Sequence, residues 1–208
     1  MADTHVIGSL RCRCWLAILI GIALVPRPLE AHLVTTGLGP VYDGISHLFV
    51  SPDDLLPVLT MALLAGLNGA AAARRTLFAL TGAWLIGGMA GLIAGGALIP
   101  TGLAAVSFLV IGGLTAVDVP LSRTVVTWIA VIFGIVHGWL NGTAIAAAGR
   151  DGLGLAGIVA ATFVLVALAA AAVVALSARA AGARLAVRVA GSWVAAIGLL
   201  MIGWSLRG

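Results

Sequence analysis

The sequence predicts an all-α membrane protein, with six transmembrane helices after an N-terminal signal peptide or signal anchor. Hydrophobic residues make up 62% of the 208-residue chain and the mean hydropathy is +1.21, values that belong to a chain solvated by lipid. Charged residues are 9% of the chain and none is Lys, so apolar runs of membrane-spanning length proceed without interruption. The 28 glycines lie among Ala, Leu and Val runs, where small residues let helix backbones approach closely in a bilayer.

The first element is residues 1–31. Arg11 and Arg13 precede an apolar stretch, 15–25, that is short for a span, and Pro26, Pro28 and the small residue Ala31 follow it. This is the layout of a signal peptide. Cleavage after Ala31 leaves His32 at the new terminus, outside the cytoplasm; Leu29, where a small residue is usual, keeps an uncleaved anchor as the alternative. Cys12 and Cys14 precede the apolar stretch, which excludes a disulfide framework and places them in the part lost on processing.

Residues 32–208 then form one polytopic domain. Six runs of about 20 residues can each cross a bilayer: 52–73, 76–96, 101–118, 124–148, 153–177 and 187–206. The breaks between them carry turn chemistry at Arg74-Arg75, Pro100-Thr101-Gly102, Asp118 to Pro120, Gly149 to Gly152 and Arg179 to Gly182. Such short connections make sequential helices antiparallel neighbours. With the N-terminus outside, Arg74, Arg75, Arg123, Arg179, Arg184 and Arg188 fall in the cytoplasm, and Arg150 and Arg207 outside, as the positive-inside rule requires. These arginines stand at the ends of apolar runs without interleaved aromatics, so they read as topology signals and no nucleic-acid partner is expected. Three helices followed by three would invert the second half relative to the first. Gly87, Gly91 and Gly95 in the second span, and Gly134, Gly138 and Gly142 in the fourth, recur every four residues as close-packing faces. The tryptophans are expected mainly as interface anchors, with Trp139 the exception because it neighbours a histidine.

Ionisable groups inside a membrane are costly, so those present are functional candidates. They fall in two clusters. In the first, Asp43 and His47 stand four apart and share a face if their segment is helical. Ser51, Pro52, Asp53 and Asp54 follow, and also read as a helix start, with Ser51 as N-cap and the acids in the first turn. Pro57 lacks an amide hydrogen and leaves the Asp53 carbonyl without its helical partner. In the second cluster His137 and Asn141 are four apart beside the glycine stripe. Both clusters are placed in the outer half of the bilayer, and imidazole with carboxylate suits a borderline divalent ion.

These residues carry a resemblance to the HupE/UreJ group of nickel and cobalt permeases. That group has a signal peptide, a mature chain beginning near His, about six spans and two motifs. The first is His, five residues, Asp-His; here His47 is followed after five residues by Asp53 and Asp54. The second is His-Gly-x-Ala/Val-His-Gly-x-Glu; here it reads His137-Gly138-Trp139-Leu140-Asn141-Gly142-Thr143-Ala144. The resemblance runs over residues 32–208 and includes Gly39-Pro40-Val41-Tyr42-Asp43-Gly44-Ile45-Ser46-His47. Asp54, Asn141 and Ala144 stand where the group has His, His and Glu, so the site has fewer nitrogen donors and is harder and weaker.

The expectation is a divalent metal-cation permease of the cytoplasmic membrane, with nickel or cobalt as cargo and no tightly bound cofactor. His47, Asp53 and His137 would hold the ion, assisted by Asp54, Asn141 and Asp43. The alternative is a non-transporting membrane subunit or metal-delivery accessory, and homo-oligomers or metalloenzyme-assembly partners are compatible with either. The chain has no phosphate-binding loop, so transport would be secondary or channel-like. An intramembrane hydrolase is disfavoured because Ser46 and Ser51 flank His47 without a nucleophile elbow.

Overall fold

A computed structural model describes residues 35–95, 102–150 and 152–207. The signal segment, Cys12, Cys14 and His32 lie outside the described residues. Seven α-helices are described: α1 Pro40–Val50, α2 Pro52–Leu67, α3 Ala70–Ala94, α4 Gly102–Val117, α5 Arg123–Ala147, α6 Leu153–Ser177 and α7 Ala181–Ser205.

Four of them, α3, α5, α6 and α7, are long and apolar enough to cross a membrane on their own. The pair α1 and α2 makes a fifth candidate, bent by 76° at its break, and α4 is a shorter apolar helix of 16 residues. The surface suits lipid: Ile93, Leu200 and Trp204 are all strongly exposed on the spanning helices. Trp84 departs from the interface-anchor expectation, being fully buried with its ring edge-on to Phe133 at 6.0 Å.

The break between α1 and α2 follows from Pro52. A residue before proline is pushed out of the helical region, and Ser51 is extended at φ −99°, ψ 96°. The chain stops one helix at Val50 and starts another with Pro52 at its first position. The next boundary is at Asn68-Gly69, where Gly69 takes φ +92°, a conformation that favours glycine. The predicted break at Arg74-Arg75 is therefore corrected: both arginines lie inside α3, and the first span ends at Leu67 rather than residue 73. Two consecutive arginines do not stop a helix, because their long side chains can snorkel to the interface.

The pairing of the helices is set by glycine. A Cβ on Gly87 or Gly91 of α3 would strike the backbone of α5 at Ile135 and Trp139, and one on Gly134, Gly138 or Gly142 would strike α3 near Leu80, Trp84 and Gly88. The predicted stripes thus interlock with each other, backbone on backbone; Gly95 instead ends α3 as its left-handed cap. Gly112, Gly191 and Gly198 do the same between α4 and α7, and Gly44 and Gly157 between α1 and α6. Exchanging α2, α3, α4 with α5, α6, α7 carries the α2–α6 contact onto α5–α3 and leaves α4–α7 and α3–α6 in place, the pattern two related halves produce. The α2–α4 and α6–α7 contacts have no such counterparts among the described residues.

One end of the bundle is tied by arginine and asparagine. Arg184 donates to both carboxylate oxygens of Asp118, at 2.6 and 3.1 Å, and to the Leu67 carbonyl. Arg188 donates to the Ala116 carbonyl, and Asn68 Oδ1 accepts the Leu121 amide at 2.8 Å. Asp118, at a predicted break between spans, is the ion-pair partner of Arg184. At the opposite end Arg150 lies 3.6 Å from Asp43 and donates to Thr35.

The glycine interlock makes a specific prediction. Gly138→Ala places a methyl against the Trp84 carbonyl and should lower the unfolding midpoint in detergent, by an overpacking cost of about 1–3 kcal/mol. Gly113, which has open space beside it, is the control: Gly113→Ala should be neutral or mildly stabilising. Equal effects of the two would contradict this packing.

Candidate functional site

Three helices bring polar side chains to the carboxylate of Asp54. It is the third residue of α2, 5% exposed, and lies at the positive end of that helix's dipole, which favours a carboxylate. From α5, His137 Nδ1 is 3.2 Å from Oδ1, and Asn141 Nδ2 donates to Oδ2 at 2.9 Å. From the end of α1, His47 Nε2 is 3.8 Å from Oδ2. All of these side chains are buried, His137 to 1% exposure.

Asp54 thus stands at the centre of the cluster, in the place that the family resemblance gave to Asp53. The two carboxylates are adjacent on a helix and point in different directions; Asp54 turns inward and Asp53 is exposed in the same first turn. Asp43 does share the buried face of α1 with His47, but its carboxylate has other partners. The Thr36 amide and hydroxyl donate to Oδ1 at 2.6 and 2.7 Å, and Arg150 is its ion pair. Ser51 occupies the N-cap of α2 without making the capping hydrogen bond; its hydroxyl lies 3.3 Å from His47 Nδ1 instead.

One contributor has no signal in the sequence. Ser107, from α4, places Oγ 2.9 Å from His137 Nε2. Ser107 Oγ also lies 2.6 Å from the Ala104 carbonyl, so its single proton goes either to that oxygen or to His137, according to the tautomer of the ring. His137 Nδ1 is the atom that faces Asp54. Serine one turn from a helix start in an apolar run looks like an ordinary back-bonded residue, and the contact spans 30 positions in the chain. The His137 ring is held further by Phe133 at a centroid distance of 4.2 Å and by Trp84 at 5.7 Å.

The arrangement leaves one acceptor without a donor. Asn141 spends its amide group on Asp54 and on the His137 carbonyl, both at 2.9 Å, and its Oδ1 is buried with no hydrogen-bond partner. His137 Nδ1 faces the carboxylate at 3.2 Å, a separation that a ring hydrogen or a shared cation can bridge. Two donors bound at about 2.1 Å to one ion sit about 3.0–3.4 Å apart at octahedral to tetrahedral angles. The His137–Asp54 separation fits that interval and the His47–Asp54 separation exceeds it. Accordingly, among the described residues no three His, Cys, Asp or Glu groups are already arranged to hold a metal ion. His47 would have to close by a few tenths of an ångström.

A family model with the description HupE / UreJ protein matches residues 20–201. No curated protein and no solved structure matches the chain.

The role of Ser107 can be read without any metal. In nitrogen-15 spectra of the purified protein, the His137 ring should show one dominant tautomer, and Ser107→Ala should change the tautomer populations. A His137 spectrum unchanged by Ser107→Ala would contradict the contact.

Proposed function

We propose that this chain, which belongs to the HupE/UreJ family, is a divalent metal-cation permease, with nickel or cobalt as its cargo rather than a resident cofactor. The observation that supports this best is the Asp54 cluster, where two imidazoles, a carboxylate and an unpartnered amide oxygen from α1, α2 and α5 meet in a buried setting. A buried acceptor without a donor, here Asn141 Oδ1, is costly inside a membrane protein, and a cation bound beside it would satisfy it.

In this reading residues 1–31 are the signal segment and residues 32–208 the transport domain, crossing the cytoplasmic membrane six times with α4 and the bent α1–α2 pair included. The arginine-bearing end faces the cytoplasm. Ions reach the site from the opposite end, past Asp43 and Arg150, and the exchange of the two halves moves access from one side to the other. The chemistry is binding and release, without catalysis. Asp54 and Asn141, where the family carries histidines, make the site harder and leave the two imidazoles as its main source of affinity for nickel or cobalt.

A second reading is a non-transporting membrane subunit or metal-delivery accessory that works with a metalloenzyme-assembly partner. What favours it is that His47 stands outside ligand range and that Asp54 is already engaged by His137 and Asn141. Radiometal accumulation separates the two. In cells lacking other nickel and cobalt uptake, expression should raise accumulation, and His47→Ala, Asp54→Ala or His137→Ala should each abolish the increase with protein levels unchanged. Asn141→His adds a third imidazole beside Asp54 and should lower the concentration of nickel needed for half-maximal uptake by roughly tenfold or more. Equal accumulation in the His47→Ala, His137→Ala double variant and the unaltered protein would move the assignment to the accessory role.

A further inference from the structure

The surface between α3 and α6 carries a long apolar cleft with cationic side chains at one end. Its first part, about 290 Å³, is lined by Ala70, Ala73, Arg74, Leu77, Ala171 and Val174, among others. The small side chains of α6, Ala167, Ala170, Ala171 and Ala175, give it its depth. A second part, about 620 Å³, continues along the same two helices past Phe78, Leu85, Ala160 and Val164. Phe78 and Phe163, with ring centroids 6.1 Å apart, both line this second part.

The length of the cleft matches one leaflet of a bilayer. From Arg74 to Leu85 the helix advances about 16 Å at 1.5 Å per residue, and half of a hydrocarbon core is about 15 Å. Arg74 and Arg75 lie in the second turn of α3, near its start, and both are exposed. Arg179 follows α6 at the same end and is exposed as well. The arginine ion pairs among the described residues are made by Arg150 and Arg184, which leaves Arg74, Arg75 and Arg179 as uncompensated positive charge. At that end the acidic side chain of Asp118 is already committed to Arg184.

We infer that this cleft binds one anionic glycerophospholipid, an acyl chain lying in the groove down to Leu85 and the phosphate resting against Arg74 and Arg75. A void beside a membrane helix forfeits dispersion contacts that an acyl chain restores, and the arginines add an attraction that a zwitterionic headgroup meets less well. A second copy of the chain is the poorer occupant, because it would bring a further set of arginines to an end that is already positive.

Native mass spectrometry of the full chain, released from nanodiscs of equal phosphatidylglycerol and phosphatidylcholine, tests this. One phosphatidylglycerol should remain bound. Arg74→Gln with Arg75→Gln should reduce its retention by roughly tenfold or more. Ala171→Trp or Ala167→Phe, which fill the groove and keep both arginines, should reduce it comparably, and soluble glycerol phosphate should fail to compete. Two groove variants guard against one that fails to fold, and the arginine pair lies on the exposed face. Equal retention of the two lipids would overturn the proposal, as would retention indifferent to Ala171→Trp and Ala167→Phe. A cross-link formed between two copies through the cleft, with no lipid retained, would assign it to a dimer instead.

Discussion

The structure turns on a carboxylate that cannot be left alone. Asp54 is buried in a bundle whose surroundings are hydrocarbon, where an unpaired charge is costly by several kcal/mol. Each neighbouring element contributes to its compensation. The break at Ser51-Pro52 sets Asp54 in the first turn of α2, where free amides and the helix dipole favour negative charge. The same break turns α1 through 76°, so that His47 at its end comes back toward the carboxylate. Helix α5 supplies His137 and Asn141 one turn apart, and α4 supplies the serine that contacts the other nitrogen of the His137 ring.

Glycine makes this convergence geometrically available. Hydrophobic attraction between helices is absent in lipid, so contact distance decides which helices pair. The glycine faces of α3 and α5 bring their backbones together, and this fixes the rotation of α5 about its axis. Gly138 and Gly142 face α3 while His137 and Asn141, one residue earlier in each turn, face α2. The buried rings of Trp84 and Phe133 then close the apolar side of His137. Helix packing and the polar cluster are therefore coupled at adjacent positions. A change at Gly138 acts on packing directly and on His137 through the rotation it sets.

Much of this was legible from residue types and spacing. Long apolar runs without Lys identified the membrane helices, the four-residue glycine repeats identified the faces that interlock, and the spacing of His137 and Asn141 put both on one side of one helix. What spacing could not settle was anything decided by a distant neighbour. Asp53 and Asp54 are equivalent as helix-start acids, and only the position of α5 selects Asp54. Asp43 shares a face with His47, yet Thr36 and Arg150 claim its carboxylate from other parts of the chain. Ser107 and Trp84 are ordinary members of apolar helices until the bundle places them against His137. The end of the first span went to Asn68-Gly69 instead of Arg74-Arg75 because backbone conformation, rather than charge, terminates a helix.

The central claim is that the cluster around Asp54 binds a transition-metal cation through imidazole and oxygen together. X-ray absorption at the cobalt edge, on purified protein loaded with one equivalent of Co²⁺, tests that claim most directly. The account predicts a mixed nitrogen and oxygen shell whose outer scattering shows two imidazole rings, dropping to one in His47→Ala and in His137→Ala. Cobalt bound with no imidazole scattering, or a spectrum unchanged by either substitution, would contradict it.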